Sequence, residues 1–277
     1  MRRVVLMFLA VAALLITLVA PAAAITKGTD DFAHPYVGLL DDGNFVCTGT
    51  LIAPTVMITA AHCFGDPEFP SAYGETDDGA PIVEVTFSQQ GFFDPAAVFH
   101  FGAWYPDPEF CIGCGPGLPG FDAHDVAVVI LFEPVPMSQY GALPEIGMVD
   151  TLRSKTPIDQ VGYGVQSFAR GRVACEITGS PPCIPIPNAF FTRKAATGGL
   201  GSVNHVIAAQ FMKVNAAKGG TCFGDSGGPN FLGGTNIVLA VTSFGTNANC
   251  AGNGWNYRVD TEHAQSFIAS VIAAHSG

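Results

Sequence analysis

The chain has 277 residues, a formal charge of −11 and only 13% charged residues. An acidic surface of this kind disfavours nucleic acid and anionic membranes as partners. The length is large for a minimal domain and small for two unrelated ones, and 33 glycines with 20 prolines suit many short strands joined by tight turns.

Residues 1–24 stand apart from the rest. Arg2 and Arg3 give a positive start, Val4 to Val19 is almost wholly apolar, and Ala22-Ala23-Ala24 offers small residues for cleavage. This is the pattern of a secretory signal peptide rather than a membrane anchor. No later stretch approaches the roughly 18 consecutive apolar residues of a spanning helix. The expectation is therefore an exported mature chain, extracellular or periplasmic, with no membrane attachment once the signal is removed. Loss of Arg2 and Arg3 leaves that chain more acidic still. In an exported protein, 8 cysteines, an even number, read as disulfide partners.

After the signal, Asp30 to Leu40 reads as a loop followed by a strand, with His34 on the surface loop before Pro35. Phe45 to Ile52 and Val56 to Thr59 read as strands separated by an Ala53-Pro54 turn. They lead into Thr59-Ala60-Ala61-His62-Cys63, which sets a histidine on a turn. Residues 65–80 are rich in Gly, Pro and acids (Asp66, Glu68, Glu75, Asp77, Asp78) without a regular calcium-ligand spacing, and a solvated loop is the favoured reading. Ile82 to Phe87 alternates as a strand does. Residues 105–124 form a Pro/Gly insertion containing Cys111-Ile112-Gly113-Cys114, where the lack of a βαβ pattern argues against a redox or zinc motif. Asp125 then opens the continuous apolar run Val126 to Leu131, a fully buried strand. A carboxylate at the head of such a strand needs a donor.

In the second half, residues 133–155 read as a connection and Val161 to Val165 as a strand. A loop with two cysteines covers 170–188, and Ala189 to Thr192 and Asn204 to Ile207, including His205, are read as strands. Gly224-Asp225-Ser226-Gly227-Gly228-Pro229 places a serine among glycines, where the backbone can turn tightly and N–H groups can converge on an oxyanion. Val241 to Gly245 follows as a strand. Asp260 or Thr261 caps a last helix, Glu262 to Ala274, whose apolar face of Phe267, Ile268, Val271 and Ile272 is expected to dock on the second half of the molecule.

The histidine, aspartate and serine stretches, in that order, resemble the three signature blocks of the chymotrypsin/trypsin family of serine proteases. The likeness extends from Ile25 to the final helix. It implies an all-β fold of two antiparallel six-stranded β-barrels with a C-terminal helix. Residues 25–135 would form the barrel carrying His62 and Asp125, and 136–277 the barrel carrying Ser226. It further implies a serine endopeptidase in which His62, Asp125 and Ser226 are catalytic, and the N–H groups of Gly224 and Ser226 form the oxyanion hole. The disulfides it implies are Cys47–Cys63 and Cys222–Cys250. The remaining Cys111, Cys114, Cys175 and Cys183 allow three pairings, of which the local Cys111–Cys114 and Cys175–Cys183 are favoured.

By the same resemblance, cleavage after Ala24 would expose Ile25, whose α-amino group would pair with Asp225. Only Ile25 and Gly28 of the family's opening motif are kept in Ile25-Thr26-Lys27-Gly28. Gly220, six residues before the serine, occupies the floor of the specificity pocket, so cleavage after Lys or Arg is not expected. Ser243, Phe244 and Gly245 would line the substrate site, with Ser243 near Asp125. Trp255 or Gly254 falls on the pocket wall. An inward Trp255 makes a shallow pocket for small apolar side chains, and an outward one leaves a deep pocket for Phe, Tyr or Leu. The chemistry calls for no metal and no organic cofactor, and the expected partner is a protein or peptide substrate met by a monomer.

Two other readings use the same residues. A G-x-S-x-G elbow of an α/β-hydrolase needs an acid and then a histidine after the serine. Only His263 and His275 follow Ser226, in or beside the last helix. A non-catalytic binder on the protease fold would be expected to lack one of the three residues, and all are present.

Overall fold

The computed structural model describes residues 24–111, 124–173, 185–189, 191–201, 209–215, 219–245 and 250–275. The sequence-based expectations for residues 1–23, Cys114, Cys175, Cys183 and Asn204 to Ile207 lie outside them.

Six strands close the first barrel: β2 (Val37–Asp41), β3 (Val46–Ala53), β4 (Val56–Thr59), β5 (Ile82–Thr86), β6 (Phe99–Pro106) and β7 (Ala127–Leu131). They pair in the order β2-β3-β4-β7-β6-β5, and β5 returns to β2. Every pairing is antiparallel. Leu39, Leu51, Met57, Val83, Val85 and Val129 are buried in it. The continuous apolar run of β7 has a physical reason: the strand faces the barrel interior on one side and the C-terminal helix on the other.

The second barrel is built from β8 (Pro157–Gly162), β11 (Lys194–Leu200), β12 (Phe211–Asn215), β13 (Pro229–Leu232), β14 (Val238–Gly245) and β15 (Asn253–Arg258). The order β11-β12-β15-β14-β13-β8 closes where β8 also pairs with β11, and the two-residue β1 (Thr29–Asp30) adds to β11. A separate hairpin joins β9 (Ser167–Val173) and β10 (Pro185–Ala189). The core here is partly polar. Asn230 is fully buried and bonds to Gln160 (2.7 Å), Asn256 (3.0 Å) and Thr242 (3.2 Å), so its amide is satisfied across three strands.

Several expectations are corrected. The strand read at Ala189 to Thr192 is not one: β10 ends at Ala189, Phe191 takes φ +69°, and the barrel strand starts at Lys194. The connection 133–155 holds a short helix, Met148–Thr151. His34 is not a plain loop residue. Its Nδ1 lies 2.8 Å from Asp31, and its ring stacks on Phe231. The final helix runs Glu262–His275 and is capped by Thr261, whose Oγ1 accepts from Ala264 N–H. Asp260 instead accepts from Arg258 and from the Val149 N–H.

That helix does not dock on the second barrel. It lies against β7 of the first, with Ala264, Ile268 and Val271 buried, because its first and last turns are both held there. His263 bonds to Asp107 (2.7 Å), and His275 stacks on Tyr105. Between the barrels, the buried Arg193 donates to Asp31, to the carbonyls of Val37 and Phe87, and to the Tyr163 hydroxyl.

Candidate active site

The pairing of β4 with β7 sets Thr59 opposite Ala127. The chain therefore leaves β4 and enters β7 at the same barrel edge, and His62, three residues past Thr59, meets Asp125, two residues before Ala127. His62 sits on a single 3-10 turn, Ala61–Cys63. The Cys47–Cys63 disulfide ties that turn to β3. The Asp125 carboxylate is fully buried and is satisfied on all sides. Its Oδ1 accepts from the His62 backbone N–H (3.0 Å), its Oδ2 faces His62 Nδ1 at 2.8 Å, and Ser243 Oγ donates to the same Oδ2.

Ser226 comes from the second barrel, on the turn before β13. His62 Nε2 lies 2.8 Å from Ser226 Oγ. Two glycines make this approach possible. Gly227 has φ +76°, and a Cβ there would fall 2.0 Å from Thr59 Oγ1 on the histidine strand. Gly224 has φ +90°, a conformation side chains resist. The turn is fastened by Thr48 of β3, whose N–H donates to Ser226 O (2.8 Å) and whose hydroxyl donates to Gly224 O (2.9 Å). The same hydroxyl accepts from the Tyr163 N–H. Among the described residues, no acceptor takes the N–H groups of Gly224 or Ser226.

The electrostatics follow from burial and pairing. Burial alone would push the Asp125 carboxyl up, but the His62 charge and hydrogen bonds from His62 and Ser243 hold it below the usual carboxylate range. Burial pushes the His62 imidazole down, yet the Asp125 carboxylate brings it above its ordinary value. Among the described residues, Asp225 has no such partner. Its oxygens accept from the Gly164 and Cys222 N–H groups (2.8 Å each), and burial pushes its pKa up to about 7. Ile25 is fully buried, and Thr26 exchanges hydrogen bonds with Gly220.

Two hollows flank Ser226. One, of about 510 Å³, is lined by Thr221, Cys222, Phe223, Thr242 and Ser243 to Gly245, with Cys250 at its edge. Gly220 and Trp255 are not among its lining residues. Trp255 is 8% exposed, stacks on Phe244 and lies beneath the Lys213 ammonium. The other, of about 400 Å³, is lined chiefly by Phe45, Val46, Val165, Phe191 and Phe223, beside Gly224.

Of the expected disulfides, Cys47–Cys63 and Cys222–Cys250 are present. Cys111 is disulfide-bonded as well, to a partner outside the described residues. The sequence reading missed Thr48, because its role depends on contact between the barrels and leaves no mark in the local pattern. The acids of 65–80 are used within their own surroundings. Asp66 accepts from the Glu68 N–H, and Asp78 from Thr76 and Tyr105.

Comparison with known proteins agrees with this geometry. The family model described as Trypsin matches residues 26–268. Brachyurin of Leptuca pugilator is 26% identical over 230 residues, which cover 80% of this chain and 84% of that protein. A solved structure described as HL collagenase superposes with a TM-score of 0.62 at 18% identity, over 91% of this chain and 99% of the other. At that identity the superposition speaks for the fold. Serine, imidazole and buried carboxylate, gathered between two six-stranded barrels and joined to a match over most of the chain, place this protein in the trypsin family as a serine-type endopeptidase.

Proposed function

We propose that this peptidase works through an acyl-enzyme with His62, Asp125 and Ser226 as its catalytic groups. The observation that carries the reading is the unbroken contact chain from Ser243 through Asp125 and His62 to Ser226. Ser226 Oγ attacks the scissile carbonyl carbon, and its proton passes to His62 Nε2. Asp125 fixes the tautomer with the proton on Nδ1 and stabilises the imidazolium. The N–H groups of Gly224 and Ser226 hold the oxyanion. His62 then protonates the leaving amine, and water attacks the ester by the same route in reverse.

The substrate side chain before the scissile bond would enter the hollow lined by Thr221, Phe223 and Phe244. No Asp, Glu, Lys or Arg is among the described lining residues, which supports apolar rather than basic substrates. With Trp255 turned against Phe244 and Lys213, the deep form of the pocket, taking Phe, Tyr or Leu, is the better supported of the two. The protein is further proposed to be secreted as a monomer and to act on protein or peptide substrates. The residues of 1–24 support export, as do the disulfides.

A fluorophosphonate probe tests the assignment. The mature protein should be labelled with one probe per chain, and Ser226→Ala should lose both labelling and peptide hydrolysis while keeping its folded circular dichroism spectrum. Labelling that persists in Ser226→Ala would remove the serine from the mechanism. A peptide library should give cleavage after large apolar residues, and cleavage after Arg would refute the pocket reading.

A further inference from the structure

A second group of polar side chains lies close to Asp125 and takes no part in the proposed chemistry. Asp107 follows the end of β6, His124 immediately precedes Asp125, and His263 is in the first turn of the C-terminal helix. Each offers one ligand atom, and the three atoms lie within 4.8 Å of one another. Asp107 is 2% exposed, and its Oδ2 sits 2.7 Å from His263 Nε2. The His124 and His263 rings approach with centroids 4.1 Å apart. His124 Nδ1 is buried and has no hydrogen-bond partner among the described residues, while its Nε2 faces Glu109 Oε2 at 3.5 Å.

We propose that Asp107, His124 and His263 form a zinc-binding site. Two imidazoles and one carboxylate are a borderline donor set that suits zinc better than calcium or magnesium, which prefer all-oxygen shells. Donors in a tetrahedral zinc site with bonds of about 2.0–2.1 Å stand about 3.4 Å apart. The Asp107–His263 pair, at 2.7 Å, is somewhat tighter than that, and no separation exceeds 4.8 Å. A small rotation of the His263 side chain, which is 36% exposed, closes the difference. With His124 binding through Nδ1, a water completes the coordination, because Glu109 faces Nε2 on the other side of the ring.

The ion would join three separate pieces of chain, namely the end of β6, the residue before Asp125 and the C-terminal helix. It serves as a structural clasp beside the active site and is not a participant in hydrolysis. The sequence alone gives no hint of it, since 107, 124 and 263 follow no ligand spacing.

The test is titration of the mature protein with zinc chloride, read by calorimetry and by metal analysis after desalting. One zinc per chain is expected, with no comparable binding of calcium. A hundredfold excess of zinc over its dissociation constant should raise the unfolding midpoint by about 5–10 °C. His263→Gln keeps a donor for Asp107 and removes the imidazole ligand. It should weaken binding at least about tenfold, the loss typical even of outer-sphere changes. Asp107→Asn, checked for folding by circular dichroism, should do the same. His62→Ala should leave the affinity unchanged. Absence of zinc binding would leave Asp107–His263 as an ion pair only and overturn the proposal. So would binding that survives both ligand changes, or binding that disappears with His62.

Discussion

At His62 two opposing effects meet: burial disfavours the charged imidazole, and the Asp125 carboxylate favours it more strongly. Only neutral His62 can accept the proton of Ser226, so kcat/KM should rise with pH through the His62 pKa and then level off. Because the pKa is raised, that limb should lie above the usual imidazole value near 6.5. Asp125→Asn removes the favouring charge and the preferred tautomer. It should lower kcat by about four orders of magnitude, as this change does in a triad of this kind, and move the acid limb to lower pH. Stopped-flow hydrolysis between pH 5 and 9 checks both, and an unmoved limb would count against the pairing. Residues of this kind were legible in the sequence because each sits in a recognisable local pattern. Thr48, Asp31 and Arg193 were not, because their partners lie on distant strands and only the folded chain brings them together.

Among the elements, the single turn Ala61–Cys63 is too short to hold a side chain in place by itself. The Cys47–Cys63 disulfide and the backbone bond from His62 to Asp125 do so. Replacing both cysteines by serine should cost about 2–4 kcal/mol of unfolding free energy. The fall in kcat should exceed any change in KM, because the histidine loses its seat while neither cysteine lines the hollow proposed for the substrate side chain. Urea unfolding and steady-state kinetics on the same preparation measure the two effects. Several strands escaped the sequence reading for an equally physical reason. β11, Lys-Ala-Ala-Thr-Gly-Gly-Leu, is made of small residues with weak strand preference, and barrel closure against β8 and β12 makes it a strand. β7 was legible because its apolar run is dictated by burial on both faces.

Across the whole molecule, we propose that activation rests on Asp225, a fully buried carboxylate that meets two backbone donors among the described residues while residues precede Ile25. Its pKa of about 7 lies above an unfolded value near 3.9. The folded form therefore holds the proton more tightly. This group's stabilising contribution is complete below about pH 4 and is lost as pH rises through 7, a change of about 4 kcal/mol for a shift of this size. A chain beginning at Ile25 would offer Asp225 an ammonium partner and lower its pKa, so the sign reverses and the contribution is retained at neutral pH. Melting curves from pH 4 to 8, on a chain with an extra residue before Ile25 and on one starting at Ile25, should diverge as pH rises, the second remaining the more stable. Parallel curves would exclude the Ile25–Asp225 pair.

One threonine hydroxyl couples the two barrels at the nucleophile. Thr48 belongs to the first barrel, yet it grips the serine turn and the β8 exit of the second. The nucleophile's footing is thus one part of the adhesion between the two halves, beside the contacts of Arg193 and Tyr163. Any loosening of the seam, by heat or by denaturant, disorders the serine turn before either barrel melts. Hydrolysis should consequently fade at a lower temperature than the cooperative loss of β-structure seen by circular dichroism, and coincident midpoints would show that the seam and the barrels give way together.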